Sequence, residues 1–497
     1  MSFPNRTGSK RQPGIRVLVV VMLALATSWA QNDSGQNQSP ANVPQNPPAS
    51  ATGQAQGTIS TPPPADTNNY PISGLDQPPL GPFIPARSFL MLGAHVSEAL
   101  DSNVGNNVVS SGLVGVTRAL GSIMLQKVSS HSLTAFDYVG GVIYYPSQDP
   151  SISQIHQFDG EQKLMWRSGQ LTFRDQLSYL PQGSFGFGVY GESGASTLGL
   201  GPLNFEGEEL GTGLGGIFTL AEFGSVGQQS RIDNLSIVDL DQSLSKRSSI
   251  TLAGGYGLIH FTDNSAGFIN SNQITAQAGY NYQVTGKTQI AFVYGFQQFQ
   301  YPNIPGSSFI THVGTFMYGH RISGRLDLTL GAGPQVTVIN NSPLFGGSKQ
   351  IITASAHASL RYRFPRTALA LSYDRYNTGG SGFFLGATSD IVRFSVSRPL
   401  TRVWTGSADV GYSHNDQIEP GFVSGVLPPS TNSFQYVYAG AVAQRPLGHY
   451  FDFFLSFQFD NQLFNSTVCT TAPCNIEARQ YVGAIGLNWH SRPIRLD

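Results

Sequence analysis

Ser271–Tyr301 reads SNQITAQAGYNYQVTGKTQIAFVYGFQQFQY. Taken by alternate residues, Gln273, Thr275, Gln277, Gly279, Asn281 and Gln283 share one face. Ile274, Ala276, Ala278, Tyr280, Tyr282 and Val284 share the other. Thr285-Gly286-Lys287 makes a tight turn. Beyond it, Ile290, Phe292, Tyr294 and Phe296 alternate with Gln289, Ala291, Val293, Gly295 and Gln297. Period two with a short glycine-containing turn predicts an antiparallel hairpin. Each strand runs about 14 residues, against roughly 5–6 in a globular sheet. A soluble sandwich has little use for such length. A strand that crosses a bilayer needs about 9–11 residues and presents its apolar face to lipid.

The pattern recurs to the end of the chain. Strands are expected at about 88–100, 112–127, 132–145, 154–167, 169–179, 231–243, 249–262, 271–284, 287–301, 308–321, 325–340, 349–364, 367–378, 386–397, 402–415, 433–445, 449–463 and 478–490. That is about 18 strands, with 16 as the alternative. In one of them Phe451, Phe453, Leu455, Phe457 and Phe459 oppose Asp452, Ser456, Gln458 and Asp460. The segments 308–321 and 386–397 alternate less clearly. Connections alternate between short and long, as in barrels with short periplasmic turns and longer outer loops. The fold class read from this is all-β: a transmembrane antiparallel up-and-down β-barrel.

Composition agrees. Of 497 residues 11% are charged and the formal net charge is -1. Ordinary soluble domains carry roughly 25% charged residues. A nearly neutral chain is a poor partner for nucleic acid. Lys10, Arg11 and Arg16 precede the apolar run Val17–Ala26, and Ser28-Trp29-Ala30 offers a cleavage site. Residues 1–30 are therefore read as an export signal; a short anchor helix is the alternative. Residues 31–86, rich in Pro, Gln, Asn and Ser, are expected to be a disordered periplasmic linker, either a spacer or a reach toward partners. The barrel is expected over 87–497.

From about Arg87 onward the chain resembles bacterial outer-membrane β-barrel proteins of the porin type. The pieces that carry the resemblance are SKRSSITLAGGYGL (245–258), SGRLDLTLGAGPQ (323–335) and RYRFPRTALALSYDR (361–375). It implies outer-membrane lipid and the outer-membrane assembly machinery as partners. Such barrels usually end on an aromatic residue that the machinery reads. Here HSRPIRLD (490–497) follows Trp489, which is expected to serve instead.

The expected function is passive diffusion of small hydrophilic solutes or ions. A non-conducting barrel for export or surface attachment, for example of polysaccharide, is the alternative. An enzyme is not expected: the chain has no H-E-x-x-H and no G-x-S-x-G. A barrel hydrolase, with Ser or Asp beside a rim histidine, is a third reading. No cofactor or metal site is expected. Gly211–Gly216 fits G-x-G-x-x-G without the βαβ context that gives that motif meaning, and reads as loop glycine. Candidate pore-lining residues are Gln273, Gln277, Asn281, Gln289, Arg325, Asp327, His357, Arg361, Asp452 and Asp460, with His312 or His320 also possible inward groups.

Basic residues collect at the short turns and acidic ones in the long connections. This reads either as a field along the pore or as a solvated rim. The longest connection, 181–230, carries Glu206, Glu208, Glu209 and Glu222 and the apolar run Gly216–Phe223. It is expected either to fold inward as a constriction or to shield the rim from outside. Cys469 and Cys474, five residues apart in an exported loop, are expected to form a local disulfide. In the last strand Tyr481, Ile485, Leu487 and Trp489 share the lipid face, with the two end rings at the membrane interfaces. Ile485→Arg is accordingly expected to cost about 2–4 kcal/mol.

Overall fold

The computed structural model describes residues 70–75, 88–104, 112–146, 152–180, 230–262, 268–304, 306–340, 347–364, 366–380, 382, 384–418, 431–466 and 475–496. Strands follow one another as β1 (Phe89–Asp101), β2 (Val114–Val128), β3 (Ser132–Tyr144), β4 (Ile152–Trp166), β5 (Gly169–Leu180) and β6 (Arg231–Ser243). Next come β7 (Ser248–Phe261), β8 (Ser271–Thr285), β9 (Thr288–Gln300), β10 (Ser308–Ser323), β11 (Leu326–Asn340) and β12 (Lys349–Arg363). The ring continues with β13 (Ala368–Thr378), β14 (Ala387–Pro399), β15 (Thr405–Gln417), β16 (Thr431–Pro446), β17 (Phe451–Ser466) and β18 (Asn475–His490). A two-residue β19 (Ile494–Arg495) ends the set.

Each long strand pairs antiparallel with its sequence neighbours, and β1 pairs with both β2 and β18. The sheet is therefore a closed ring of 18 strands, and the count of 16 is excluded. Closure satisfies the backbone N–H and C=O groups within the wall, as hydrocarbon requires. Connections from even to odd strands are 2 to 5 residues long. Those from odd to even run from 7 to 50. Both ends of the barrel chain lie at the short-turn end.

The burial pattern is the reverse of a soluble protein's. On β8 Ser271, Gln273, Thr275, Gln277, Gly279 and Asn281 are buried, while Ile274, Ala276, Ala278, Tyr280 and Tyr282 are exposed. The same inversion holds on β17, where Asp452, Gln458 and Asp460 are buried and Phe451 and Leu455 exposed. The two weakly patterned segments have a physical explanation. β10 turns Phe309, Val313 and Met317 inward, and β14 turns Ile391 inward. They belong to apolar clusters inside the barrel, so both faces of these strands carry apolar groups.

The seam between β1 and β18 pairs nine positions, Gly93↔His490 to Asp101↔Val482, against thirteen between β1 and β2. Inward side chains stitch it further. The Gln480 amide donates to Asp101 at 2.7 Å, and the Asn103 amide donates to the Arg479 carbonyl at 3.0 Å. The C-terminal tail does not leave the wall. Ser491 N donates to the Leu92 carbonyl, and after Pro493, which has no N–H to give, β19 pairs with Leu90 and Phe89. Residues after Trp489 thus prolong the seam at the short-turn end.

Tyr481, Ile485, Leu487 and Trp489 all face outward. Tyr481 and Trp489 are separated by about 26 Å of strand, which a 35–45° tilt shortens to about 20 Å of bilayer normal. One detail changes the expectation for Ile485. Its partner on β1 is Glu98, also on the outer face, which would neutralise an arginine placed there. Phe316 is the cleaner position: it is 56% exposed, lies midway along β10, and is flanked by Phe292 and Ala332. Phe316→Arg should cost about 2–4 kcal/mol in unfolding from lipid vesicles, and Ile485→Arg less. Equal stability of wild type and Phe316→Arg would contradict the lipid-facing assignment.

Candidate functional site

The interior of the ring is the candidate site. Period two places it: every second residue of 18 strands points inward, so residues distant in sequence converge there. Gln273, Gln277 and Asn281 are buried on its wall, and Gln289 shares the face of Ala291 and Val293. Arg361, Asp452 and Asp460 are inward and buried. Asp460 accepts hydrogen bonds from the Tyr436 hydroxyl and from the Gln458 amide at 2.7 Å. Asp452 faces His490 at 3.7 Å. His357 donates from Nδ1 to Asp374 at 2.6 Å. Asp327 holds Arg321 at 3.1 Å and Arg363 at 2.9 Å.

Arg325 differs from its reading as a pore-lining group. It is exposed in the turn before β11, because the strand begins one residue later. His312 and His320 are also not inward. They lie on the outer parity of β10, where His312 meets the Tyr294 hydroxyl at 2.7 Å and His320 meets Thr288 at 3.0 Å. Glu206, Glu208, Glu209 and Glu222, and likewise Cys469 and Cys474, lie outside the described residues. Of the basic groups near the short turns, Arg321, Arg361 and Arg363 turn inward. Arg167, Lys246, Arg247, Lys287, Arg366, Arg398, Arg402 and Arg445 stay on the exposed rim.

Charge inside the barrel is sorted around the ring. On β3–β6 the inward groups are Asp137, Asp159, Glu161, Asp233, Asp239 and Asp241, against Lys163, Arg174 and Arg231. Glu161 lies between Lys163 at 3.5 Å and Arg174 at 3.1 Å, and Arg174 reaches Asp239 at 3.9 Å. On β10–β14 the balance reverses. Arg321, Arg361, Arg363 and Arg393 outnumber Asp327 and Asp374. Three strands, β7–β9, separate the two arcs on one side of the ring and six on the other.

At the long-loop end one connection turns apolar side chains inward. In residues 379–386 Phe384 and Leu385 are fully buried. Their loop is tied to two others. Ile269 N donates to the Gly382 carbonyl at 3.0 Å, and the Tyr301 hydroxyl donates to the Gly379 carbonyl at 3.1 Å. Asn303 donates to the Phe268 carbonyl at 2.7 Å. Gly380 has φ +93°, and a Cβ there would stand 2.3 Å from the Phe384 carbonyl oxygen, so the inward turn depends on glycine. The available signal was Phe-Phe-Leu within GGSGFFLG, an apolar group poorly suited to open solvent.

A second surprise comes from the leader. Residues 70–75 fall within the span expected to be a disordered linker, yet they are placed inside the barrel against β7, β8 and β10.

An apolar exterior, an interior that gathers the polar and charged groups beside apolar clusters, and full closure make this the architecture of a transmembrane β-barrel. No protein-family model matches the chain, and no curated protein matches it. Among solved structures, OccK2 (OpdF) of Pseudomonas aeruginosa is similar with a TM-score of 0.39 at 9% identity, over 81% of this chain and 97% of its own. OpdK with vanillate, from the same organism, gives 0.36 at 8% identity, over 81% and 98%. The FrpB iron transporter from Neisseria meningitidis gives 0.37 at 7% identity, over 82% of each chain.

Arg174 offers a test of how dry the acidic arc is. It is buried between Glu161 and Asp239, and removing one partner of a buried ionic group costs about 3–5 kcal/mol. Arg174→Met should destabilise the folded barrel by about that amount in denaturant titration. A loss below about 1 kcal/mol would mean that lumen water screens the carboxylates.

Proposed function

We propose that the chain is an outer-membrane channel for passive diffusion of small hydrophilic solutes, with its short-turn end and its leader in the periplasm. It is read as a conduit rather than an enzyme. The observation that carries this reading is the sorting of inward-facing charge into an acid-rich arc on β3–β6 and a base-rich arc on β10–β14. A wall that only had to be stable would gain nothing from so many buried ions, whose desolvation is costly. Carboxylates and guanidinium groups facing one another across a passage create a transverse field. Such a field suits small hydrated ions and polar solutes and disfavours apolar ones.

One observation favours the other reading, a non-conducting barrel for export or surface attachment. A single apolar cluster joins residues of β6, β7, β9 and β10 to Ile391, Phe434, Tyr436 and Phe464 of β14, β16 and β17. Those strands are not neighbours in the ring, so the cluster crosses the interior.

The test is conductance in a planar bilayer, with the full chain and with a chain lacking residues 31–87. Discrete current steps are expected in at least one of them. Replacing Arg361 and Arg393 by Gln should move the reversal potential toward cation selectivity. Absence of current from both folded proteins would contradict the channel and leave the non-conducting reading.

A further inference from the structure

Pro71-Ile72-Ser73-Gly74 forms a turn closed by Gly74 N donating to the Pro71 carbonyl at 2.9 Å. Every polar group of Ser73 is engaged by the barrel wall. Its N–H donates to Asn281 Oδ1 at 3.0 Å. Its hydroxyl meets Thr251 Oγ1 at 2.6 Å and accepts from Asn281 Nδ2 at 2.6 Å. Its carbonyl accepts from Gln277 Nε2 at 2.6 Å and from Thr251 at 3.4 Å. Thr251, Gln277 and Asn281 lie on the adjacent strands β7 and β8 and present three uncharged polar groups to one residue.

The wall is also emptied where the turn lies. A Cβ on Gly279 would stand 2.4 Å from Ser73 Oγ, and one on Gly319 would stand 2.8 Å from Ile72 Cγ2. Two inward positions on β8 and β10 thus carry no side chain, and the leader fills the space. Ser73 is 0% and Leu75 1% exposed. A residue lying on the wall of an open channel keeps one side in water. Ser73, Gly74 and Leu75 keep none, because Leu75 packs into the apolar cluster that crosses the interior. The chain continues to β1, so the turn is covalently tied to the ring through residues 76–87.

We propose that Tyr70–Leu75 is a built-in plug, a turn of the leader that occupies the lumen as an intramolecular ligand and closes the path until it is withdrawn. The proposal rests on the channel reading for its consequence, but the docking itself does not. Hydroxyl and amide groups and one leucine hold the turn. Tension on the leader, or a neutral solute that offers hydroxyl and carbonyl groups to Thr251, Gln277 and Asn281, would suffice to release it.

The experiment replaces Ser73 and Thr251 by Cys in a chain carrying Cys469→Ser and Cys474→Ser. A second chain has Ile72→Cys with Gly319→Cys. Mild oxidation of the folded protein should link either pair, read as a mass change reversed by reductant. Single-channel conductance of the linked protein should rise about twofold or more on reduction or on deletion of residues 70–75. If neither pair links in folded protein, the turn is not docked and the proposal is overturned, with the channel untouched. Linkage with conductance unchanged by reduction and by deletion makes the turn a strut and overturns the plug. Linkage with no current in any form, deletion included, overturns the channel and the gating together and leaves only the docking.

Discussion

The whole arrangement follows from one constraint: a backbone that crosses hydrocarbon must bond every N–H and C=O to itself. Strands meet that condition only as a closed ring. Closure makes the β1–β18 seam the place where the two ends of the barrel chain must find each other. The seam has nine paired positions and is reinforced by Gln480, Asn103 and the tail that runs on to β19. Once the ring is closed, alternation does the rest. Apolar side chains reach lipid without cost, and polar ones are collected in an interior that must then satisfy them.

That interior is more occupied than a wide tube would need. Its carboxylates and cations hold one another at 2.6–3.9 Å, the connection 379–386 turns two large side chains inward, and a turn of the leader fills space that glycines leave open. Each device places groups where water would otherwise pass. The proposed channel therefore depends on the contents of its lumen as well as on its 18 strands.

The strands were legible because period two is a local signal that recurs every few residues. Ser271–Thr285 shows both faces without reference to the rest of the chain. The two segments that alternated poorly, β10 and β14, are those whose inward residues join an apolar cluster, so the polarity contrast was lost for a tertiary reason. The site was legible only in part. Inward parity placed Gln277, Asn281, Arg361 and Asp460 on the lumen wall. It misplaced Arg325, where one residue of strand boundary decides, and it had no grip on His312. Pairings such as Arg174 with Asp239, across two strands, have no signature in sequence at all. Nor does the docking of Ser73, which lies 208 residues before its partner Asn281 in a segment of linker-like composition.

The inverted polarity of the wall is the central claim, and site-directed spin labelling along β8 tests it most directly. Single cysteines from Ser271 to Thr285, in protein lacking Cys469 and Cys474, would be labelled and reconstituted in lipid. Collision with oxygen, which concentrates in hydrocarbon, should peak at 274, 276, 278, 280 and 282 and fall at the positions between. A water-soluble relaxing agent that peaked at those same five positions, or a profile without a period of two, would contradict the account.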